Sequence, residues 1–219
     1  MIKVAIPITG KEEYSAIKKV VFSGKFVSGK IVENFEKEYA KFIGTRYAVA
    51  LNSGTAALHA SLSSLGLKPG DEVIVPAMSF ISSATAILHQ GCTPIFCDVD
   101  IENYCMCPKS LERNITKKTK AIMPVHLFGN PCNMSKILSI AKKYKLKIIE
   151  DACLATGAEY KNEKVGSLGD LTVFSTNPGK VLDGIGPGGI ITTNNKNLFL
   201  KLKQLRDYGR KERPGKWPV

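Results

Sequence analysis

The stretch Tyr47-Ala48-Val49-Ala50-Leu51-Asn52-Ser53-Gly54-Thr55-Ala56-Ala57-Leu58 joins a short apolar run to a helical pattern through a polar turn that contains glycine. The run at 47–51 is near-continuously apolar, which is typical of a strand covered on both faces of its sheet. The segment that follows has the spacing of a helix. The chain therefore passes from strand to helix within a few residues, and parallel α/β sheets are built from this unit.

The same alternation continues along most of the chain. Seven segments are short and rich in Val, Ile and Phe, and we predict strands at 47–51, 72–76, 93–99, 120–125, 147–151, 171–176 and 189–193. Helical patterns fill the gaps at 33–42, 56–65, 79–89, 134–144 and 197–208. Strands and helices that alternate with single crossovers predict one α/β domain, with a mostly parallel sheet between helices. Ligands of such sheets bind beyond the carboxyl ends of the strands.

The composition is that of an ordinary globular protein. The 219 residues are 44% hydrophobic and 23% charged, which is enough apolar surface to exclude disorder over the whole chain. No apolar run approaches the ~20 residues of a membrane span. The N-terminus lacks the apolar segment and small-residue cleavage site of a secretion signal. We therefore expect a cytoplasmic protein without a membrane partner.

The charge and the cysteines narrow the possible partners. The net charge of +12 could favour polyanions, but the basic residues are spread along the chain without interleaved aromatic residues. We therefore interpret the basic residues as lying on solvated helix faces, and we expect no nucleic-acid partner.

The six cysteines form no Cys-x-x-Cys pair, so we expect reduced thiols and no metal site. Cys97 and Cys153 have apolar, strand-like surroundings and are predicted to be small core residues.

The first segment with chemical potential opens the helix at 56–65. The segment 53–55 lies where the free N–H groups and the dipole of a helix N-terminus bind phosphate. It contains Gly54, and the hydroxyls of Ser53 and Thr55 add donors. The alternative is an ordinary N-cap, where Ser and Thr are favoured in any case. Both interpretations stay open at this point.

Two further segments follow predicted strands. Asp151 closes the strand at 147–151, where a carboxylate can hold a protonated ring nitrogen of a cofactor. The alternative is a helix-capping aspartate. Lys180 follows the strand at 171–176 and could form a Schiff base with a carbonyl compound, the alternative being a surface lysine. The glycines at 184–189 lead into a strand instead of a helix, so they do not match a dinucleotide-binding fingerprint.

In order and spacing, these segments resemble those of the DegT/DnrJ/EryC1/StrS family of pyridoxal-phosphate-dependent sugar aminotransferases. Other stretches fit the same family, at 26–30, 35–36, 69–76, 91–100, 119–122, 125–129 and 166–170. The resemblance runs from about Pro7 to about Gly209. Each stretch alone is weakly diagnostic, whereas their combination is specific.

The resemblance implies a fold and an assembly. The fold is the fold type I large domain, with a seven-stranded, mostly parallel mixed sheet between helices, here over 1–209. The cofactor is pyridoxal 5'-phosphate, and the assembly is a homodimer with the active site between protomers. The family pattern continues into a smaller C-terminal domain. We expect that domain to be missing here, with 210–219 as the start of a linker towards it.

The resemblance also implies roles for individual residues. Lys180 is similar to the lysine that bonds covalently to the cofactor and moves the substrate's proton. Asp151 is similar to the partner of the pyridinium nitrogen. Gly54, Thr55 and Ser175 resemble the residues that bind the cofactor's phosphate.

One aromatic residue and two departures complete the comparison with the family pattern. Phe80 occupies the position of a ring stacked on the cofactor, and the alternative is a core aromatic on an apolar helix face. Leu154 replaces a glutamine expected near the cofactor's phenolic oxygen, and leucine cannot donate a hydrogen bond. The family's Gly-Glu-Gly-Gly run becomes Gly186-Pro187-Gly188-Gly189.

The implied activity is transfer of an amino group from an amino acid, such as glutamate, to a nucleotide-linked keto-sugar. Such reactions serve the biosynthesis of amino sugars or surface polysaccharides. A nucleotide-sugar dehydratase of the same family is an alternative, but its lysine is typically a histidine, whereas this chain has Lys180. A further alternative is a non-catalytic or truncated remnant of the family, suggested by Leu154 and the expected missing domain.

Overall fold

The computed structural model describes residues 8–27 and 29–211, and every structural statement below concerns these residues. The strands are β1 (Tyr47–Leu51), β2 (Glu72–Pro76), β3 (Thr93–Cys97), β4 (Thr119–Ile122), β5 (Lys147–Asp151), β6 (Glu159–Tyr160), β7 (Glu163–Lys164), β8 (Leu171–Ser175) and β9 (Gly189–Thr193). The helices are α1 (Lys11–Ser23), α2 (Lys30–Ile43), α3 (Gly54–Ser64), α4 (Ile81–His89), α5 (Pro108–Arg113), α6 (Met134–Tyr144) and α7 (Lys196–Arg206), with a 3₁₀ turn at Leu127–Gly129.

Seven strands form one sheet in the order β1-β9-β8-β5-β4-β2-β3, and β6 pairs with β7 in a separate hairpin. The strands β3, β2, β4, β5 and β8 run parallel, whereas β9 lies antiparallel between β8 and β1. The predicted seven-stranded, mostly parallel mixed sheet is therefore confirmed. Because all strands except β9 share one direction, their carboxyl ends lie along one edge, where ligands bind in sheets of this kind.

Helices cover both faces of the sheet, since successive residues of a strand point to opposite faces. Val73 and Val75 of β2 belong to an apolar cluster with residues of α3, α4 and α7. Ile74, between them, belongs to a second cluster with residues of α5 and α6. A third cluster joins α2 to Ala48 of β1 and Ile190 of β9. The near-continuous apolar runs of the sequence thus correspond to strands buried on both faces.

The strand ends show where local sequence overrides the apolar pattern. The strands β1, β2, β5 and β9 have the predicted bounds, whereas β3, β4 and β8 end earlier than predicted, at Cys97, Ile122 and Ser175. The Met123 N–H still donates to the Ile74 carbonyl at 2.8 Å, but Pro124 has no N–H to donate to the next strand. Its carbonyl accepts the Asp151 N–H at 2.8 Å, so the predicted strand continues beyond Ile122 only as an isolated bridge between Val125 and Asp151.

The helices agree with the prediction less closely. α6 has the predicted bounds, and α3 and α7 differ by no more than two residues at either end. α2 begins early, at Lys30, and α4 begins late, at Ile81, because Phe80 is extended with φ −69° and ψ 142°. α1 and α5 were not predicted. α5 has Pro108 in its first turn, where proline is favoured, and α1 buries none of its residues.

A buried carboxylate fixes the carboxyl half of β1. Glu36 on α2 is 5% exposed and accepts the Ala50 N–H at 2.9 Å. Arg206 on α7 pairs with the same carboxylate and donates to the Ala50 carbonyl at 3.1 Å. Since a buried carboxylate must be paired and hydrogen-bonded, α2 and α7 are held together across the end of β1. The turn that begins at Asn52 therefore starts from a fixed point.

The structure also bears on the expectations about membrane spans, cysteines and the linker. No helix within 8–27 and 29–211 is long and apolar enough to cross a membrane. All six cysteines are free, and Cys97 is buried, as predicted. Residues 1–7, Ser28 and residues 212–219 lie outside the described part of the chain, so most of the predicted linker at 210–219 lies outside it too.

Candidate active site

The carboxyl ends of β1, β5 and β8 open into a cleft of about 260 Å³. All six residues predicted to bind a cofactor line this cleft: Gly54, Thr55, Phe80, Asp151, Ser175 and Lys180. They come from segments that are far apart in the sequence. The fold therefore brings the predicted residues together at the edge of the sheet where the sequence pattern placed them.

The N-terminus of α3 forms one wall of the cleft. Ser53 is the N-cap, and its Oγ accepts the Ala56 N–H at 3.1 Å. The N-cap interpretation is therefore correct for Ser53. Gly54 and Thr55 line the cleft, and their N–H groups precede the first hydrogen bond of the helix, which the Ala57 N–H donates to the Ser53 carbonyl. A Cβ atom at Gly54 would lie 3.1 Å from both Cys153 Sγ and Ser175 Cβ, so any side chain at this position would force these two neighbours to shift. The first N–H groups and the dipole of α3 suit an anion here.

Asp151 supplies the only carboxylate that lines this cleft among the described residues. It is 5% exposed, and its Oδ2 accepts from Ser83 Oγ at 2.7 Å while its Oδ1 accepts the Cys153 N–H at 3.2 Å. Turns follow β5 and no helix begins there. The helix-capping interpretation of Asp151 is therefore wrong.

Lys180 lies in the loop between β8 and β9. Its N–H donates to the Asn177 carbonyl at 3.0 Å, and the preceding Gly179 N–H donates to Asp183 Oδ1 at 2.6 Å. The lysine is half-buried and lines the cleft with Asp151. Its position is thus set by the loop, and it is not an ordinary surface lysine.

Phe80 is 71% exposed, so the alternative of a core aromatic is wrong. The residue is the extended N-cap of α4 and lines the cleft. An exposed ring in the wall of the cleft is available to pack on a planar ligand.

Comparison with known proteins identifies the architecture. The sequence profile of the DegT/DnrJ/EryC1/StrS aminotransferase family matches residues 7–217. This chain belongs to that family. It is 45% identical over 181 residues to the GDP-perosamine synthase of Caulobacter vibrioides, which covers 83% of this chain and 48% of the relative.

Solved structures of the family have the same fold. The aminotransferase from Psychrobacter cryohalolentis is 38% identical, with a TM-score of 0.90 over 93% of this chain and 52% of that one. The E. coli GDP-4-keto-6-deoxy-D-mannose-3-dehydratase with bound hydrated PLP is 32% identical, with a TM-score of 0.88 over 93% of this chain and 54% of that one. The chain therefore has the fold type I large domain and spans about half the length of these relatives.

A buried polar network that reaches the wall of the cleft at His126 was not predicted. His126 Nδ1 accepts the Cys132 N–H at 3.0 Å, so its other ring nitrogen carries a proton and donates to Glu150 Oε2 at 2.9 Å. Glu150 also accepts from the Gly169 N–H and from Thr172 Oγ1, at 2.8 and 2.7 Å. His126 is thus occupied by structural bonds. The family-like stretch at 125–129 was the sequence signal for it.

The run after Asp151 departs from the family pattern inside the cleft itself. Leu154 lines the cleft, so the departure at this position changes its wall. Cys153 also lines it and is half-buried. It packs against the central apolar cluster, so the prediction of a small core residue is confirmed in part. Burial and the neighbouring Asp151 carboxylate raise the pKa of the Cys153 thiol well above its ordinary value, and Lys180 opposes that shift. The thiol is therefore protonated and apolar in character.

Gly188 and Gly189 have a packing role that the sequence did not reveal. A Cβ atom at Gly188 would lie 2.2 Å from Thr176 Oγ1, and one at Gly189 would lie 2.2 Å from the Ser53 carbonyl oxygen. No side chain fits at such distances. The start of β9 therefore presses directly on the turn that presents Gly54 to the cleft.

We expect Gly189→Ala to lower the free energy of unfolding by about 1–3 kcal/mol, the usual range for forcing an extra methyl group into a packed site. Urea unfolding followed by circular dichroism measures this. Gly10→Ala is the matched control, because its Cβ atom would meet only Glu13 Oε2 at 3.6 Å. Equal stability of Gly189→Ala and the wild type would contradict the packing role.

Proposed function

We propose that this chain is the cofactor-binding part of a pyridoxal-phosphate-dependent sugar aminotransferase. It would transfer an amino group from an amino acid, such as glutamate, to a nucleotide-linked keto-sugar in amino-sugar or surface-polysaccharide biosynthesis. The observation that carries the proposal is the meeting of Asp151 and Lys180 with the N-terminus of α3 in one cleft. The relative that makes a GDP-linked sugar supports the substrate class.

The residues of the cleft fit each part of pyridoxal phosphate. The N–H groups of Gly54 and Thr55, with the Ser175 hydroxyl beside them, suit the phosphate. The buried Asp151 carboxylate suits the protonated ring nitrogen, and the Lys180 amine suits the aldehyde carbon. When bound, this cofactor withdraws electrons from the amino-acid carbon and carries the amino group from donor to acceptor.

The chain's own residues then have distinct tasks. Asp151 would keep the ring nitrogen protonated, and its two protein hydrogen bonds keep its carboxylate in place. Lys180 would hold the cofactor and afterwards move a proton between the cofactor carbon and the substrate. Phe80 would cover the ring from the open side, since it is exposed at the edge of the cleft.

Two other functions of the family remain as competing hypotheses. A solved relative of the same fold is a sugar dehydratase, but in that class we expect a histidine at the position of Lys180. The second hypothesis is a remnant that binds cofactor without turnover, and its support is Leu154 in the wall of the cleft.

We further propose a cytoplasmic homodimer. Large apolar side chains next to the cleft residues are exposed, among them Ile81, Phe128, Val181 and Ile185. A cluster of exposed apolar side chains around a cleft is typical of an interaction surface. A second copy of the chain would cover these side chains and close the site.

We expect Lys180 to bond covalently to the cofactor. Borohydride reduction of the chain with pyridoxal phosphate, followed by peptide mass mapping, should place the pyridoxyl group on Lys180. Lys180→Arg should abolish the label, whereas Lys164→Arg, a change of a lysine outside the cleft, should keep it. A label on another lysine, or bound cofactor without any label, would contradict the assignment.

Asp151→Ala should raise the Kd for pyridoxal phosphate about 10- to 100-fold, because a hydrogen bond between charged groups is worth about 1.5–3 kcal/mol. The half-reaction with glutamate should fall in parallel. Cofactor absorbance titration and stopped-flow measurement test the two effects. Asp71→Ala is the control, since Asp71 precedes β2 at the opposite edge of the sheet. Wild-type turnover in Asp151→Ala would make Asp151 a structural residue.

We expect the 219-residue chain on its own to bind cofactor, dimerise weakly and transaminate slowly or undetectably. About half the length of its relatives is not represented in it, and an open cleft lets water weaken every polar contact with the cofactor. Sedimentation velocity and a single-turnover assay with glutamate measure these properties, with and without a separately supplied C-terminal domain. A stable dimer that turns over at ~1 per second or faster would contradict this prediction.

A further inference from the structure

Two adjacent serines in the first turn of α4 reach opposite ends of the cleft. Ser82 Oγ lies 2.8 Å from Thr55 Oγ1, and Ser83 Oγ donates to Asp151 Oδ2 at 2.7 Å. Ser82 is 8% exposed and Ser83 is fully buried. Successive residues of a helix point about 100° apart, so one helical turn can contact two different walls.

The direction of the hydrogen bonds at Ser83 follows from proton counting. A carboxylate only accepts, so the single hydroxyl proton of Ser83 goes to Asp151. Ser83 must then accept from Ser79, whose Oγ lies 2.6 Å away and which lines the cleft. On the other side, the Cys153 N–H donates to Asp151 Oδ1. Each oxygen of the Asp151 carboxylate therefore has its own donor, and the plane of the group is fixed.

We infer that Ser82 and Ser83 are positioning residues that set the two ends of the cofactor grip from one turn of α4. Ser82 holds the Thr55 hydroxyl at the phosphate end, and Ser83, supported by Ser79, holds Asp151 at the ring-nitrogen end. The inference rests on the proposed function. It goes further because it attributes the positions of both Thr55 and Asp151, which are distant in sequence, to the single helix α4. A shift of α4 would then disturb both contacts together.

The test uses three compounds that isolate the two ends. Pyridoxal phosphate engages both ends. An analogue with CH in place of the ring nitrogen lacks the contact with Asp151, and pyridoxal lacks the phosphate. Their dissociation constants are measured by fluorescence titration on the whole 219-residue chain, for the wild type and each variant. Urea unfolding without ligand reports on folding separately from binding.

Ser83→Ala should raise the Kd of pyridoxal phosphate about 3- to 10-fold, the value of one hydrogen bond. It should leave the Kd of the carbon analogue within about twofold, because that analogue makes no contact with Asp151. Ser83→Thr should restore the wild-type values. A loss of packing alone would weaken the binding of all three compounds equally, and that result would overturn the inference for Ser83.

Ser82→Ala should give the complementary pattern. The Kd values of pyridoxal phosphate and the carbon analogue should rise about 3- to 10-fold, while pyridoxal binding should stay within about twofold of wild type. Ser61→Ala is the control for loss of a buried hydroxyl, since Ser61 donates to Ala57 within α3. Unchanged binding in Ser82→Ala, or an equal loss for all compounds, would overturn the inference for Ser82.

The outcomes also separate this inference from the proposed function. If the wild type bound the carbon analogue as tightly as pyridoxal phosphate, or bound neither, the role of Asp151 would fail and the inference with it. If the wild type discriminated and Ser83→Ala discriminated equally well, only the inference would fail. Should Ser83→Ala not fold, Ser79→Ala removes the supporting donor and should give the same selective pattern, with the Kd of pyridoxal phosphate raised about threefold. Its absence would overturn the inference.

Discussion

The end of β5 is the constraint on which the site depends, because two adjacent carboxylates there point to opposite faces of the sheet. Glu150 is fully buried and accepts hydrogen bonds from His126, Thr172 and Gly169. These bonds compensate for burial of the carboxylate and join β5 to β8 and to the segment after β4. Asp151, the next residue, is thereby presented to the cleft from a strand that cannot shift.

The opposite wall depends on close approach of backbone to backbone. The start of β9 packs against the Ser53 carbonyl with no room for a side chain at Gly189, and Gly54 is pressed against Cys153 and Ser175. The Glu36 network holds the strand that leads into this turn. Rigid elements therefore carry both walls, whereas Lys180 comes from a loop between β8 and β9. Such a division would suit the proton transfer proposed for Lys180, since the other contacts would stay in place while its side chain moves.

Many large apolar side chains are exposed on the surface of the described chain. α1 buries none of its residues, and exposed apolar side chains such as Tyr14, Val21 and Phe22 contribute nothing to the core of the described chain. Exposed apolar groups on this scale are typical of surfaces that contact more protein. The relatives, about twice as long as this chain, offer one origin for such contacts and a second protomer offers another.

Local sequence was enough to predict the seven strands of the sheet and the residues that meet in the cleft. β1, β2, β5 and β9 were predicted to the residue, because each is a short buried apolar run bounded by turn residues and needs no distant partner to be recognised. Lys180, Asp151 and Gly54 were found for the same reason, since they lie at fixed distances after such runs. The order of motifs along the chain then indicated the family.

The three-dimensional arrangement was needed to choose between the interpretations of these residues. Exposure of the ring excluded a core aromatic at Phe80, and the absence of a helix directly after β5 excluded a helix-capping role for Asp151. The bond between Ser83 and Asp151 joins residues 68 positions apart, and the contact between Gly189 and Ser53 spans twice that gap in sequence. Contacts of this kind arise when separate strand ends meet at one edge of a sheet. Local patterns of hydropathy carry no information about them, because they depend on how the strands are ordered in space.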